Sequence, residues 1–384
     1  MSDVFIDVTR LVGRLMKGRL PTGVDRVSLA YVRHFFGRAQ AVVRLGSRTI
    51  VLPRPASQTL FGQLLAPFPD FNRSMLWLIG REALKFQRDP CLRGAFLFNT
   101  GHSGLEQSGY PGQLRRQRVR PLFLVHDLIP ISHPEYCRAG ESGRHVTRMN
   151  NVLSLAHGVI TNSQATLDAL KHYARKSGQR MPPAVAALLA APEFPAPSPV
   201  RPLAAPYFVI LSTIEPRKNH WLLLQLWRRL VEQMGASAPR LVVIGQRGWE
   251  CENVVALLER CESLRDVVTE LPACSDADLA TYLHHSQALL FPSFAEGYGM
   301  PLVEALSHGV PVIASDLPAF REIAGRIPDY RDPLDALGWM ACIQSYTRPE
   351  SAERTVQLNR LAHFVAPTWS RHFQLVEDLM ERLG

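Results

Sequence analysis

Cysteine is scarce in this chain of 384 residues, and the six present (Cys91, Cys137, Cys251, Cys261, Cys274 and Cys342) stand far apart with no C-x-x-C pair. That spacing excludes a disulfide framework and a thiolate zinc site, and it predicts reduced, mostly buried thiols. Long apolar runs are missing too: none reaches the roughly 18 to 20 residues that cross a bilayer. The start of the chain, with Asp3 and Asp7, lacks the basic-then-apolar order of a secretion signal, so the expected location is the cytoplasm. There is no internal repeat and no low-complexity tail, which excludes solenoids and disordered arrays.

Acidic residues are few in the first half. Residues 1–200 hold 26 Lys and Arg against 12 Asp and Glu, whereas 201–384 hold 17 against 22, so the halves contribute +14 and −5 to the net charge of +9. The basic residues gather at Arg10, Arg14, Lys17 and Arg19, and again at Arg115, Arg116, Arg118 and Arg120. No nucleic-acid motif accompanies them and aromatics are not interleaved with them, so no nucleic-acid partner is expected. Two readings stay open, a solvated face and contact with an anionic membrane surface.

What remains is an ordinary globular composition, 46% hydrophobic and 20% charged, in a chain longer than one core accommodates. Strand-like runs alternate with helical patterns, which predicts α/β domains built on parallel sheets. Strands are expected at Val4–Val8, Ala41–Leu45, Phe96–Asn99, Leu122–Val125 and Gly158–Thr161, then at Tyr207–Thr213, Leu241–Gly245, Val267–Leu271, Ala288–Phe291 and Val312–Ser315. Eight prolines between Pro182 and Pro206 mark a linker. The expected division is a first domain at 1–195, the linker at 196–206, a second domain at 207–367 and a final amphipathic helix at 368–384, with Phe373, Val376 and Leu379 on one stripe.

The segment FPSFAEGYGMPLVEALSHGVPVIAS, Phe291 to Ser315, carries the most chemistry. A short apolar strand leads into a turn with Gly297 and Gly299, and Pro301 suits the first turn of the helix that follows. The amides of Leu302 and Val303 are expected to be free at the positive end of that helix, where an anion binds. Glu296 and Glu304 flank the turn, placed so that both carboxylates face such a ligand. A second loop, T-I-E-P-R-K-N-H from Thr213 to His220, sets Arg217 and Lys218 at the carboxyl edge of a sheet, where α/β domains bind ligands. In the first half His126 and Asp127 follow the apolar strand that ends at Val125, and His102 follows the strand that ends at Asn99. Each of these histidines reads either as a capped structural residue or as a ligand contact. Gly23 opens a helix within P-T-G-V-D-R, and Ser275 and Asp276 open another, where capping is the alternative to binding.

The E-G-Y-G-M-P-L-V-E-A-L segment, with its two glutamates separated by seven residues, resembles the signature of retaining glycosyltransferases of family 4. The E-P-R-K-N wording is similar to that of bacterial polysaccharide mannosyltransferases, and V-H-D-L-I-P resembles the family's first-domain motif. The resemblance implies an α/β chain of the GT-B fold: two Rossmann-like domains facing a central cleft, with the C-terminal helix crossing back to the first. It implies transfer of a hexose from a nucleoside diphosphate sugar, GDP-mannose-like rather than UDP-linked, to a hydroxyl of a bacterial surface glycan or a polyprenyl-linked acceptor. No metal and no other cofactor is implied. By the same resemblance Glu296, His126, Lys218 and Arg217 are catalytic. Glu304, Gly297, Gly299, Met300, Leu302, Val303, Gly23 and Asp276 bind the donor, and His102 and Asp127 meet the acceptor. A sugar-nucleotide epimerase of the same shape and a noncatalytic partner in a glycan-assembly complex are the rival expectations.

Overall fold

The computed structural model describes residues 3–19, 21–46, 48–66, 78–81, 92 and 94–384. Cys91 lies outside them. The chain divides into two units, one of residues 1–131, 140–189 and 369–384, the other of residues 132–139 and 190–368.

The first unit is built on a seven-stranded sheet: β1 (Val4–Asp7), β2 (Ala39–Leu45), β3 (Arg48–Val51), β4 (Phe96–Asn99), β5 (Arg120–Val125), β6 (Gly158–Thr161) and β7 (Ala184–Ala186), in the order β3-β2-β1-β4-β5-β6-β7. Its pairs are parallel except β2 with β3, an antiparallel turn-back that the expected all-parallel pattern omits. β7 is a further strand missing from those expected; it lies among the prolines that begin at Pro182, within the first domain expected at 1–195. Pro183 lacks a donor, yet its carbonyl accepts from the Val159 N–H at 2.9 Å, which an edge position permits.

The second unit holds β8 (Tyr207–Leu211), β9 (Arg240–Ile244), β10 (Val268–Leu271), β11 (Leu289–Phe291), β12 (Val312–Ser315) and β13 (Asp329–Arg331), in the order β10-β9-β8-β11-β12-β13, all parallel. Apolar runs make these strands because both faces are covered by helices. Trp227, Trp339 and Tyr346 are fully enclosed in the core beneath them. Both tryptophans satisfy their indole N–H on carbonyls, Trp227 on Pro239 at 2.8 Å and Trp339 on Asp332 at 2.9 Å.

The helix Trp369–Leu383 packs in the first unit against β6 and β7. Gly158 leaves room for it: a Cβ there would meet Leu383 Cδ1 at 2.8 Å. Phe373 lies parallel to the His34 ring at a centroid distance of 3.8 Å and edge-on to Tyr31 at 5.0 Å. His372 Nδ1–H donates to the Ala187 and Leu188 carbonyls at 3.1 and 3.2 Å, so its Nε2 accepts from the Tyr31 hydroxyl at 2.9 Å. Among the described cysteines only Cys251 and Cys342 are buried, and Cys137, Cys261 and Cys274 are half-buried, which corrects the expectation of mostly buried thiols.

In each sheet the strand order reverses once, between β1 and β4 in the first unit and between β8 and β11 in the second. Ligands of open α/β sheets bind outside the carboxyl ends at such a reversal.

Candidate functional site

The reversal between β8 and β11 places two loops side by side in the second unit. After β8 the chain makes a short 3-10 turn, Pro216–Lys218, and Asn219 takes a left-handed φ of 56° before the helix His220–Met234. The second loop follows β11 and ends at Gly299, whose φ of 123° and whose contact with Phe320, 2.6 Å from where a Cβ would stand, admit no other residue without strain. The two loops are tied by backbone, the Phe294 N–H donating to the Arg217 carbonyl at 2.9 Å.

Their side chains form a four-charge cluster. Glu296 accepts from Lys218 Nζ at 2.5 Å through one oxygen and lies 2.7 Å from Arg217 Nη1 through the other. Arg217 also donates to Glu215 at 2.6 Å and to the Ala295 carbonyl at 2.8 Å. Lys218 and Glu215 are both buried, and the Lys218 ammonium sits 5.3 Å from the centre of the Phe291 ring. Burial raises the Glu296 pKa, but Arg217 and Lys218 outweigh it and hold the carboxylate at about 2. Burial and the neighbouring Arg217 lower Lys218, and burial raises Glu215 against the pull of Arg217. His220, buried behind Lys218, is pushed down to about 3 by burial and then by that ammonium. The cluster balances two cations with two carboxylates.

The helix Met300–Ser307 starts beside this cluster. The Leu302 and Val303 N–H groups both return to the Gly299 carbonyl, at 3.0 and 3.2 Å. They are therefore not the free amides expected, because Gly299 as the residue before the helix aims its carbonyl into the first turn. Pro301 has no N–H, which leaves Met300 as the first-turn donor that the helix does not use. Glu304 is buried on the second turn, with its carbonyl accepting from His308 Nδ1 at 2.7 Å. Asp276 lies exposed on the first turn of Asp276–His284, where Ser275 caps the helix by accepting from the Asp278 N–H at 3.1 Å.

In the first unit the reversal between β1 and β4 gathers a different set. His126, at the end of β5, is buried, and Nε2–H donates to the Thr100 carbonyl at 2.7 Å, which fixes the tautomer with Nδ1 as acceptor. Burial holds His126 below its ordinary pKa. Asp127 accepts from the Ile129 N–H at 3.0 Å, and its carbonyl takes the Nε2–H of His145 at 3.1 Å. His102, at a φ of 56°, stands 5.5 Å from the His126 ring and 5.9 Å from that of His145. Burial, then the two neighbouring histidines, lowers its pKa well below the ordinary value, and its Nε2 is enclosed without a partner. Gly23 opens the helix Gly23–His34 at an exposed position, and Thr22 and Asp25 form a reciprocal capping box. Asp25 is buried between Arg10 and Arg14, at 2.9 and 2.8 Å. These two arginines of the first basic cluster thus pair with a buried carboxylate, whereas Lys17 and Arg19 of the same cluster are exposed. Arg115 and Arg118 of the second cluster are exposed, whereas Arg120 stacks on Phe96 at 4.0 Å.

Glu215 went unassigned on sequence, although the alternation of charge in E-P-R-K is the local signal that an arginine two positions on meets it. Asp25 was not singled out on sequence, since its arginine partners lie 11 and 15 residues back along the chain. Among the described residues no group of three or more His, Cys, Asp or Glu is arranged to hold a metal ion, and no helix is long and apolar enough to cross a membrane.

Residues 197–326 match the family described as Glycosyl transferases group 1. They are a group 1 glycosyltransferase domain. The match covers β8 to the helix before β13 and contains the whole four-charge cluster. The chain is 27% identical over 276 residues to the serotype-specific mannosyltransferase WbdA of Escherichia coli, an alignment covering 63% of this chain and 31% of that protein. It is 31% identical over 163 residues to the O-antigen chain mannosyltransferase B of Escherichia coli, covering 42% of each. The chain thus spans about a third of the length of the first relatives it matches. Among solved structures, Anabaena HepE in complex with UDP-glucose superposes with a TM-score of 0.67 at 15% identity, covering 100% of this chain and 99% of that one. With two parallel-sheet α/β units of this kind, the chain containing the group 1 domain has the GT-B fold.

Proposed function

We propose that this protein is a retaining glycosyltransferase that works without a metal, moving mannose or a related hexose from a nucleoside diphosphate to a hydroxyl of a bacterial surface glycan or a lipid-linked acceptor. The observation that carries the reading is Glu296 bridging Lys218 and Arg217 at the β8–β11 reversal, beside the start of Met300–Ser307. In this reading the donor diphosphate takes Arg217, Lys218 and the Met300 amide, and Gly297 and Gly299 let the backbone approach it. Glu296 is released to the hydroxyls of the sugar, and Glu304 receives the ribose. Leu302 and Val303 shape the floor of that turn, while Asp276 meets the base. His126 and Gly23 contact the donor, and His102 and Asp127 the acceptor. The bond from the anomeric carbon to the β-phosphate oxygen breaks as the acceptor oxygen bonds that carbon from the same face, and the departing phosphate takes the acceptor proton. Preorganised cations stabilise the charge developing on that phosphate, and losing one such donor costs about a hundred- to thousandfold in rate.

The mannosyltransferase relatives support a mannose donor and hence GDP as the base-bearing group, in the setting of O-antigen or capsule-like polysaccharide assembly. The exposed Arg115 and Arg118 support a peripheral position on an anionic membrane face. Calorimetric titration with GDP and UDP, together with a transfer assay from GDP-mannose, tests the reading. Tighter GDP binding and mannosyl transfer are expected. Tighter UDP binding overturns the donor assignment, release of an altered sugar nucleotide without acceptor points to an epimerase, and no nucleotide binding at all points to a noncatalytic partner.

A further inference from the structure

Residues 132–139, although they precede the proline-rich stretch by some fifty positions, belong to the second unit. Ser132–Ala139 lies against the loop that carries Glu296 and against the loop of Trp249. The Tyr136 ring stacks on Phe294, centroids 5.2 Å apart and planes 8° from parallel, and His133 also stacks with it at 5.9 Å and 16°. Phe294 stands two residues before Glu296, and its N–H is the one that donates to the Arg217 carbonyl. The Tyr136 carbonyl accepts from the Trp249 indole N–H at 3.4 Å, and Arg138 places its guanidinium 5.0 Å from the centre of the Trp249 ring. The Trp249 loop in turn rests on the loop of Glu215 and Arg217: the Gly248 N–H donates to the Ile214 carbonyl at 2.9 Å, and a Cβ on Gly248 would meet that oxygen at 2.7 Å. One short segment therefore reaches the backbone beside Arg217 by two routes, through Phe294 and through Trp249.

We infer that Tyr136 is a positioning residue for Glu296. Its ring clamps Phe294 and holds the turn of residues 293–297 in the register that lets Glu296 meet Lys218 and Arg217. It touches no reacting atom; it acts through Phe294. This role rests on the reading of Glu296 as the residue that orients the donor sugar, whereas the clamp itself is a matter of structure and is measured separately.

The test compares Tyr136→Ala, which removes the stack but keeps the carbonyl that Trp249 uses, with Tyr136→Phe, which keeps the ring. Hydrogen exchange followed by mass spectrometry reads the clamp without any need for activity. The Phe294 amide and its neighbours to residue 297 should exchange faster in Tyr136→Ala and at the parent rate in Tyr136→Phe. Unchanged exchange in Tyr136→Ala overturns the proposal whatever the enzyme does. In the transfer assay kcat should fall about three- to tenfold in Tyr136→Ala, the range an aromatic pair supports, with KM for the sugar nucleotide within about twofold. Tyr136→Phe should restore kcat. A drop shared by both variants, or one that disappears on cooling in step with melting, assigns the effect to the hydroxyl or to general stability and overturns the positioning role. A parent protein that binds and transfers nothing leaves the exchange result to decide the clamp and refutes the proposed function alone.

Discussion

Glu296 sits among charges that decide its behaviour more than its burial does. Burial alone would favour the protonated acid, but two cations at 2.5 and 2.7 Å keep it ionised to about pH 2. A folded-state pKa below the ordinary 4.5 means that the unfolded chain binds the proton first. The stability from this cluster is therefore complete above about pH 4.5 and is lost as pH falls through about 2. The urea midpoint of the parent protein should drop between pH 5 and pH 2.5 by more than that of Glu296→Gln, which has no proton to take up. The same burial makes substitution costly: Glu296→Ala strands Arg217 and Lys218 and should lower stability by about 3 to 5 kcal/mol, read by urea unfolding at pH 7. Glu296→Gln keeps an oxygen acceptor for Lys218 and should cost much less while reducing transfer about a hundredfold or more, so it is the cleaner probe of catalysis.

Two helices show how a local signal and a distant partner share one element. Gly23–His34 is opened by a capping box of Thr22 and Asp25, three positions apart, while Arg10 and Arg14 make Asp25 the hub of a buried ionic contact. Thr22→Ala should cost about 1 kcal/mol as a lost cap. Asp25→Ala also strands the two arginines and should cost clearly more, a ranking that denaturant unfolding resolves. Trp369–Leu383 was legible as an amphipathic stripe, and its apolar face is where that stripe placed it. His372 on this helix was not singled out, because nothing local marks it for burial. Its pKa is lowered to about 4 by burial, opposed by the Leu188 and Ala187 carbonyls. The unfolded chain takes up this proton from about pH 6.5 downward, so the contribution is complete above that pH and is lost as pH falls through about 4. His372→Gln should flatten the fall in stability between pH 7 and pH 4.5, followed by thermal melting across that range.

At the scale of the whole molecule, each of the two units carries its own sheet, its own enclosed core and its own reversal of strand order. A nucleoside diphosphate held as proposed should protect amides in 213–219 and 293–304 from hydrogen exchange, and at a hundred times its Kd it should stabilise the folded protein by about 2.7 kcal/mol. Protection confined to the first unit would move the donor site there. The long elements, the group 1 motif and both loops of the charge cluster were legible because apolar periodicity, glycine and proline act within a few residues. β3, β7 and β13 were not: each has three or four residues, lies at a sheet edge and carries too short a pattern to register.

The sequence by itself determined that a strand, a glycine turn and a helix run from Phe291 to Ser307, that Arg217 and Lys218 end a strand of their own, and that His126 ends another. Only the tertiary structure decided that β8 lies beside β11. That pairing brings Lys218 against Glu296 across 78 residues of chain and turns two separate loops into one balanced cluster. Strand order is set by long-range hydrogen-bonding and packing of whole sheets, which no local pattern of side chains encodes.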